Sequence, residues 1–98
     1  MGGSYGLIEV SGVVAAIDSL DAMCKASEVN VVTWERKLGG RLVTVIVEGT
    51  VSDVKAAIEA AANICKMNNH KLAASGIIAS PCDEVRKLVA KSAQRLQK

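Results

Sequence analysis

Apolar positions in this chain follow two rhythms, and the places where one gives way to the other mark out its elements. Ser4 to Val10 is a short, largely apolar run closed by Ser11-Gly12, the pattern of a mostly buried strand. From Val13 to Ala26 the spacing changes. Val13, Ile17, Leu20 and Cys24 recur at steps of three and four, predicting a helix with Asp18, Asp21 and Lys25 on its polar face. Val29–Leu38 and Arg41–Glu48 are two β-rich runs on either side of Gly39-Gly40, a dipeptide able to take the positive backbone angles of a tight type I′ hairpin. Thr50 opens a second helix with Asp53 three residues on as a capping acid, and Val51, Val54, Ile58, Ala61 and Cys65 follow one face. Past the polar turn Asn68-Asn69-His70-Lys71, Leu72–Ala79 reads as a fourth strand. Ser80 as cap and Pro81 as first helical residue then start a last helix striped by Val85, Leu88, Val89, Ser92 and Leu96.

The predicted order is β-α-β-β-α-β plus one helix, an α/β (α+β) ferredoxin-like arrangement: an antiparallel sheet with helices on one face and a C-terminal helix added. At 98 residues the chain has room for one core and one domain. Half of the residues are hydrophobic, yet there is no Phe, one Tyr and one Trp, so the core must be built from thin aliphatic side chains in closely packed layers. So apolar a chain is expected to expose apolar surface as a monomer and to self-associate.

Charge and chemistry narrow the function by exclusion. A net charge of +2 with both signs interspersed gives no reason to expect a nucleic-acid partner, and the basic residues Arg86, Lys87, Lys91, Arg95 and Lys98 follow Asp83 and Glu84 as a helix dipole favours. An RNA-recognition sheet would need more strand aromatics than Tyr5 and Trp34. No run is long enough for a membrane span, and Met1-Gly2-Gly3-Ser4 lacks the features of a signal peptide, so the expected compartment is the cytoplasm. Cys24, Cys65 and Cys82 are widely spaced and are expected to be small buried hydrophobes. The single histidine, His70, is expected as an exposed imidazole in a polar loop. With Cys65 it would supply only half of a structural zinc site. Glu9, Asp18, Asp21, Glu48 and Asp53 lie on different elements and define no carboxylate pair. Gly39-Gly40 joins strand to strand, unlike a phosphate-binding loop. No catalytic residue, cofactor or metal is therefore expected.

Taken together, five segments resemble the single-domain, hexamer-forming shell proteins of bacterial microcompartments. They are Gly6-Leu7-Ile8-Glu9, Asp21-Ala22-Met23-Cys24-Lys25, Lys37-Leu38-Gly39-Gly40 followed by Leu42-Val43-Thr44, the run Glu48–Ala57, and Ile77-Ile78 with Pro81. The resemblance spans about residues 4–82, with 83–98 as a helical extension longer than the family's usual tail. It implies a homohexameric tile of a cytoplasmic protein shell, with other shell proteins and encapsulated enzymes as partners. The turn Lys37, Leu38, Gly39, Gly40 and Arg41 would line a central metabolite pore, and Lys25 would pack at the edge between hexamers. Arg41 stands where the family usually has a small residue, and Ala79-Ser80 replaces the arginine usually found before the proline. These departures predict weaker, differently arranged or mixed assemblies. The competing expectation is a ferredoxin-like oligomeric regulator that binds a small effector between subunits.

Overall fold

The computed structural model describes residues 3–36 and 40–96. Its elements run β1 (Ser4–Ser11), α1 (Val13–Ala26), β2 (Asn30–Arg36), β3 (Leu42–Gly49), α2 (Val51–Met67), β4 (Leu72–Ile78) and α3 (Asp83–Leu96). The four strands form one antiparallel sheet in the order β2-β3-β1-β4, the ferredoxin-like order. The pairing of Arg36 with Val43 is symmetric about the Gly39–Gly40 peptide, although the turn itself lies largely outside the described residues.

One face of the sheet carries the core. Ile8 and Val10 of β1 and Val43, Val45 and Val47 of β3 point to the side on which α1 and α2 lie, and all five are buried. The α2 start forms as its sequence predicts: the Asp53 backbone N–H donates to Thr50 Oγ1 at 3.1 Å, and the Thr50 hydroxyl donates to the Asp53 carboxylate at 3.0 Å. Gly6 lets α2 sit low on the sheet, because a Cβ there would lie 2.7 Å from Val54 Cγ1.

Three expectations about faces need correction. The core side of α1 is Ala15, Ala16, Ser19 and Met23, with Leu20 half-buried against it, whereas Val13, Ile17 and Cys24 of the expected stripe are exposed. Small residues win because they allow close approach to α2, where the Ser19 hydroxyl, which also donates to the Ala15 carbonyl, lies 3.3 Å from Cys65 Sγ. Of the three thiols only Cys65 is buried; Cys24 and Cys82 are exposed, Cys24 because of this rotation of α1. The last helix starts at Asp83, two residues beyond Pro81, because the Arg86 N–H donates to the Cys82 carbonyl and makes Cys82 the cap position. Its stripe is thinner than expected, with Leu88 67% exposed.

α3 packs on the opposite face of the sheet from α1 and α2, over β2. Polar contacts fix it there: Thr33 and Ser92 hydroxyls meet at 2.9 Å, and Glu35 accepts hydrogen bonds from Ser92 and, at 2.5 Å, from Arg95. The Ser92 bond, more than the Arg95 charge, holds the Glu35 carboxyl below the usual range. At its other end Arg86 stacks 5.9 Å from the Tyr5 ring and reaches Glu48 at 3.8 Å.

Candidate functional site

All four strands bring one end to the same side of the sheet. Ser11 at the close of β1 pairs with Leu42 at the opening of β3, and Val10 pairs with Leu72 at the opening of β4. Two backbone bonds tie this end together: the Ser11 N–H donates to the Lys71 carbonyl at 3.1 Å, and the Gly12 N–H donates to the Arg41 carbonyl at 2.6 Å. Gly12 has φ 100° and ψ 151°, a region that essentially only glycine occupies, so this residue sets the sharp turn from β1 into α1 and fixes Arg41 to it. Sequence reading took Gly12 for a strand terminator alone. A glycine between strand and helix was the available signal.

Of the five predicted turn residues, Gly40 and Arg41 are described, and both are exposed at this end of the sheet. Lys37, Leu38 and Gly39 lie outside the described residues. Lys25 lies at the far end of α1, exposed, with its ammonium 2.8 Å from the Asp21 carboxylate one turn earlier. That hydrogen bond, aided by the charge of Asp21, raises the lysine's pKa and keeps it cationic.

His70 is not the exposed imidazole expected. Its backbone N–H donates to the Cys65 carbonyl at 2.8 Å, which draws the ring in until its side chain is 19% exposed, with Nε2 2.7 Å from Asp18 Oδ2. Asn68 Nδ2 donates to the same oxygen at 3.2 Å. The two bonds fasten the α2–β4 turn to α1 and hold the Asp18 carboxyl below its ordinary value of 3.8, the histidine bond counting for most. A carboxyl whose pKa is depressed by folding adds stability above its unfolded value and loses that contribution as pH falls through the lowered one. Asp18→Asn is therefore expected to flatten the acid limb of stability against pH. Denaturant unfolding from about pH 5 to about pH 2 would measure it, and an unchanged slope would count against the assignment.

Among the described residues no group of three or more His, Cys, Asp or Glu side chains gathers where a metal ion could be held. No helix among them is long and apolar enough to cross a membrane. What the geometry offers instead is a sheet with a tied, glycine-turned end, a charged far corner, and uncovered apolar surface along its flanks.

The BMC domain family matches residues 4–81, most of the chain. The chain belongs to this family. Carboxysome shell protein CsoS1C of Hydrogenovibrio crunogenus is 44% identical over 87 residues, covering 89% of this chain and 84% of its own. Probable carboxysome shell protein CsoS1E of Prochlorococcus marinus is 45% identical over 82 residues, and there the chain spans only 40% of the relative's length. The same fold is found in the crystal structure of a microcompartments protein from Desulfitobacterium hafniense DCB. It aligns with TM-score 0.80 and 23% identity over 89% of this chain and 48% of that one.

Proposed function

We propose that this chain is a structural, non-enzymatic shell protein of a bacterial microcompartment in the cytoplasm, assembling with copies of itself and with other shell proteins around encapsulated enzymes. The observation that carries this reading is the BMC domain match over residues 4–81, with 44% identity to a carboxysome shell protein along nearly its full length. The regulator alternative has no comparable support. In this reading the tile is a hexamer whose tied strand ends meet at the axis, so that Lys37, Leu38, Gly39, Gly40 and Arg41 frame a pore and Lys25 lies at the perimeter. Electron microscopy of the overproduced protein tests it: sheets, tubes or discs support a shell tile, and small discrete oligomers that bind a metabolite overturn it.

Arg41 gives the proposed pore its character. Backbone N–H groups and a ring of guanidinium groups at one axis attract anions and repel cations. Arg41→Gly is expected to lower the ratio of anion to neutral-solute entry into assembled shells severalfold while leaving assembly intact. Equal ratios for the two proteins would rule out a gating role for Arg41.

A further inference from the structure

α3 covers only part of the sheet face on which it lies. It sits over β2, and on its open flank Leu88, 67% exposed, stands beside Thr44 and Ile46 of β3. Beyond them the sheet is bare. Leu7, Gly76 and Ile78 floor a hollow of about 420 Å³ over β1 and β4, and a Cβ added at Gly76 would meet nothing within 4 Å. Two strands side by side are about 10 Å wide, the diameter of one α-helix. The uncovered half of the face is therefore a seat for a second helix laid next to α3. Glu9 is the only charged residue lining the hollow and forms no ion pair among the described residues, so the seat favours a helix that brings a cation.

The charges of α3 describe such a helix. Arg86 and Arg95 are committed within the chain, to Glu48 and Glu35. Glu84, Lys87 and Lys91 are exposed and form no ion pair among the described residues. Glu84 precedes Leu88 by four positions and Lys91 follows it by three, so the three share one face, the flank turned to the hollow. Run antiparallel against itself about Leu88, this stripe sets Glu84 of each helix against Lys91 of the other. Run parallel, it sets acid against acid and lysine against lysine. Lys87 points away from the buried Val89 and Ser92, and in the antiparallel arrangement it is turned to the floor of the other copy's hollow, where Glu9 lies.

We infer that two copies dock through this face about a two-fold axis, α3 of each seated in the hollow of the other. The tile is that of the shell reading, on which this docking rests. Rotation about a ring axis turns no copy over, so every copy of a tile presents its stripe on the same side, and two tiles lock front to front. One contact made of a leucine and exposed ion pairs is weak. Many made together are strong, because each after the first is intramolecular. A like-to-like contact is used up by one partner, so the stack stops at two layers.

Charge reversal in the full chain tests the docking. The readouts are the layer count of assemblies seen edge-on in cryo-electron microscopy and the mass of discrete tiles in analytical ultracentrifugation. The unaltered protein is expected as double layers, with discrete assemblies of twice the single-tile mass. Glu84→Lys and Lys91→Glu are each expected to give single layers and half that mass. Mixed in equal amounts, or combined in one chain, they are expected to restore the double layer, because every acid then faces a lysine again. Leu88→Ala leaves the charges alone, is expected to give single layers as well, and stands in if a reversal unfolds α3. Double layers from the folded single variants, or single layers from their mixture, overturn the docking. Single layers from the unaltered protein also overturn it and leave the shell reading standing, whether or not an encapsulated enzyme is found in the hollow instead. Failure of the unaltered protein to form rings or sheets at any concentration overturns the shell reading and the docking with it.

Discussion

Met23→Ala is expected to lower the free energy of unfolding by about 2–5 kcal/mol, the range for truncating a large buried side chain, while Ile17→Ala leaves an isolated chain within about 0.5 kcal/mol of the parent. Both residues sit on α1, six positions apart, and hydrophobicity alone ranks Ile17 the better core residue. The structure reverses that order. Met23 is 1% exposed and belongs to the cluster with Ile8, Val43 and Cys65, whereas Ile17 is 61% exposed and lines an open apolar groove with Val13 and Trp34. Ala15, Ala16 and Ser19 around Met23 are too small to fill the space its removal would open. The groove at Ile17 already opens to solvent. Chemical denaturation of both variants, kept dilute enough to be single chains, would separate the two. Equal losses would overturn the assignment of Met23 to the inner face and Ile17 to the outer one, and a larger loss at Ile17 would mean that α1 presents the other face to the sheet.

Gly6→Val should cost about 1–3 kcal/mol, as overpacking of a well-filled layer typically does. At this position a Cβ would lie 2.7 Å from Val54 Cγ1 and 3.3 Å from both Ile58 Cδ1 and Val47 Cγ2, so even the first carbon forces α2 away from β1. The strand cannot yield instead, since β1 is held by β3 on one side and β4 on the other. Gly76 provides the control. It pairs with Leu7 on the next strand, and a Cβ there meets nothing within 4 Å. Gly76→Ala is therefore expected to be neutral or to stabilise by up to about 1 kcal/mol through the unfolded chain. Thermal melts of the two glycine variants should move apart, and a Gly6→Val melting point matching the parent would show that α2 does not ride as close to the sheet as described.

The element order was readable because each boundary carries its own chemistry: Gly39-Gly40 between the two β-rich runs, Thr50 and Asp53 at α2, Pro81 before α3. The inner face of α1 was not. Its two stripes both satisfy a helical period, and nothing in the spacing says which faces the chain's own sheet. Alanine and serine carry little hydrophobic signal, yet they decide the matter because their size sets how near two helices can come. His70 was misjudged for a different reason. Its partner Asp18 is 52 residues away, and only the return of the α2–β4 turn to α1 brings them within hydrogen-bond reach. The α3 placement escaped notice likewise, since the Thr33–Ser92 and Glu35–Arg95 contacts join polar residues that look like ordinary surface. For Arg41 and Lys25, residue chemistry says only that they are exposed cations. Their proposed duties come from family membership.

Gly12 and Lys25 lie at opposite ends of α1, whose fourteen residues at a rise of 1.5 Å span about 20 Å. Substitutions farther apart than about 7–10 Å usually add independently. On the proposed assignment of Arg41 to a pore and Lys25 to an edge, a lineage carrying this tile can thus change what crosses its wall without disturbing how the bricks are laid, and can change the bricklaying without altering what is let through.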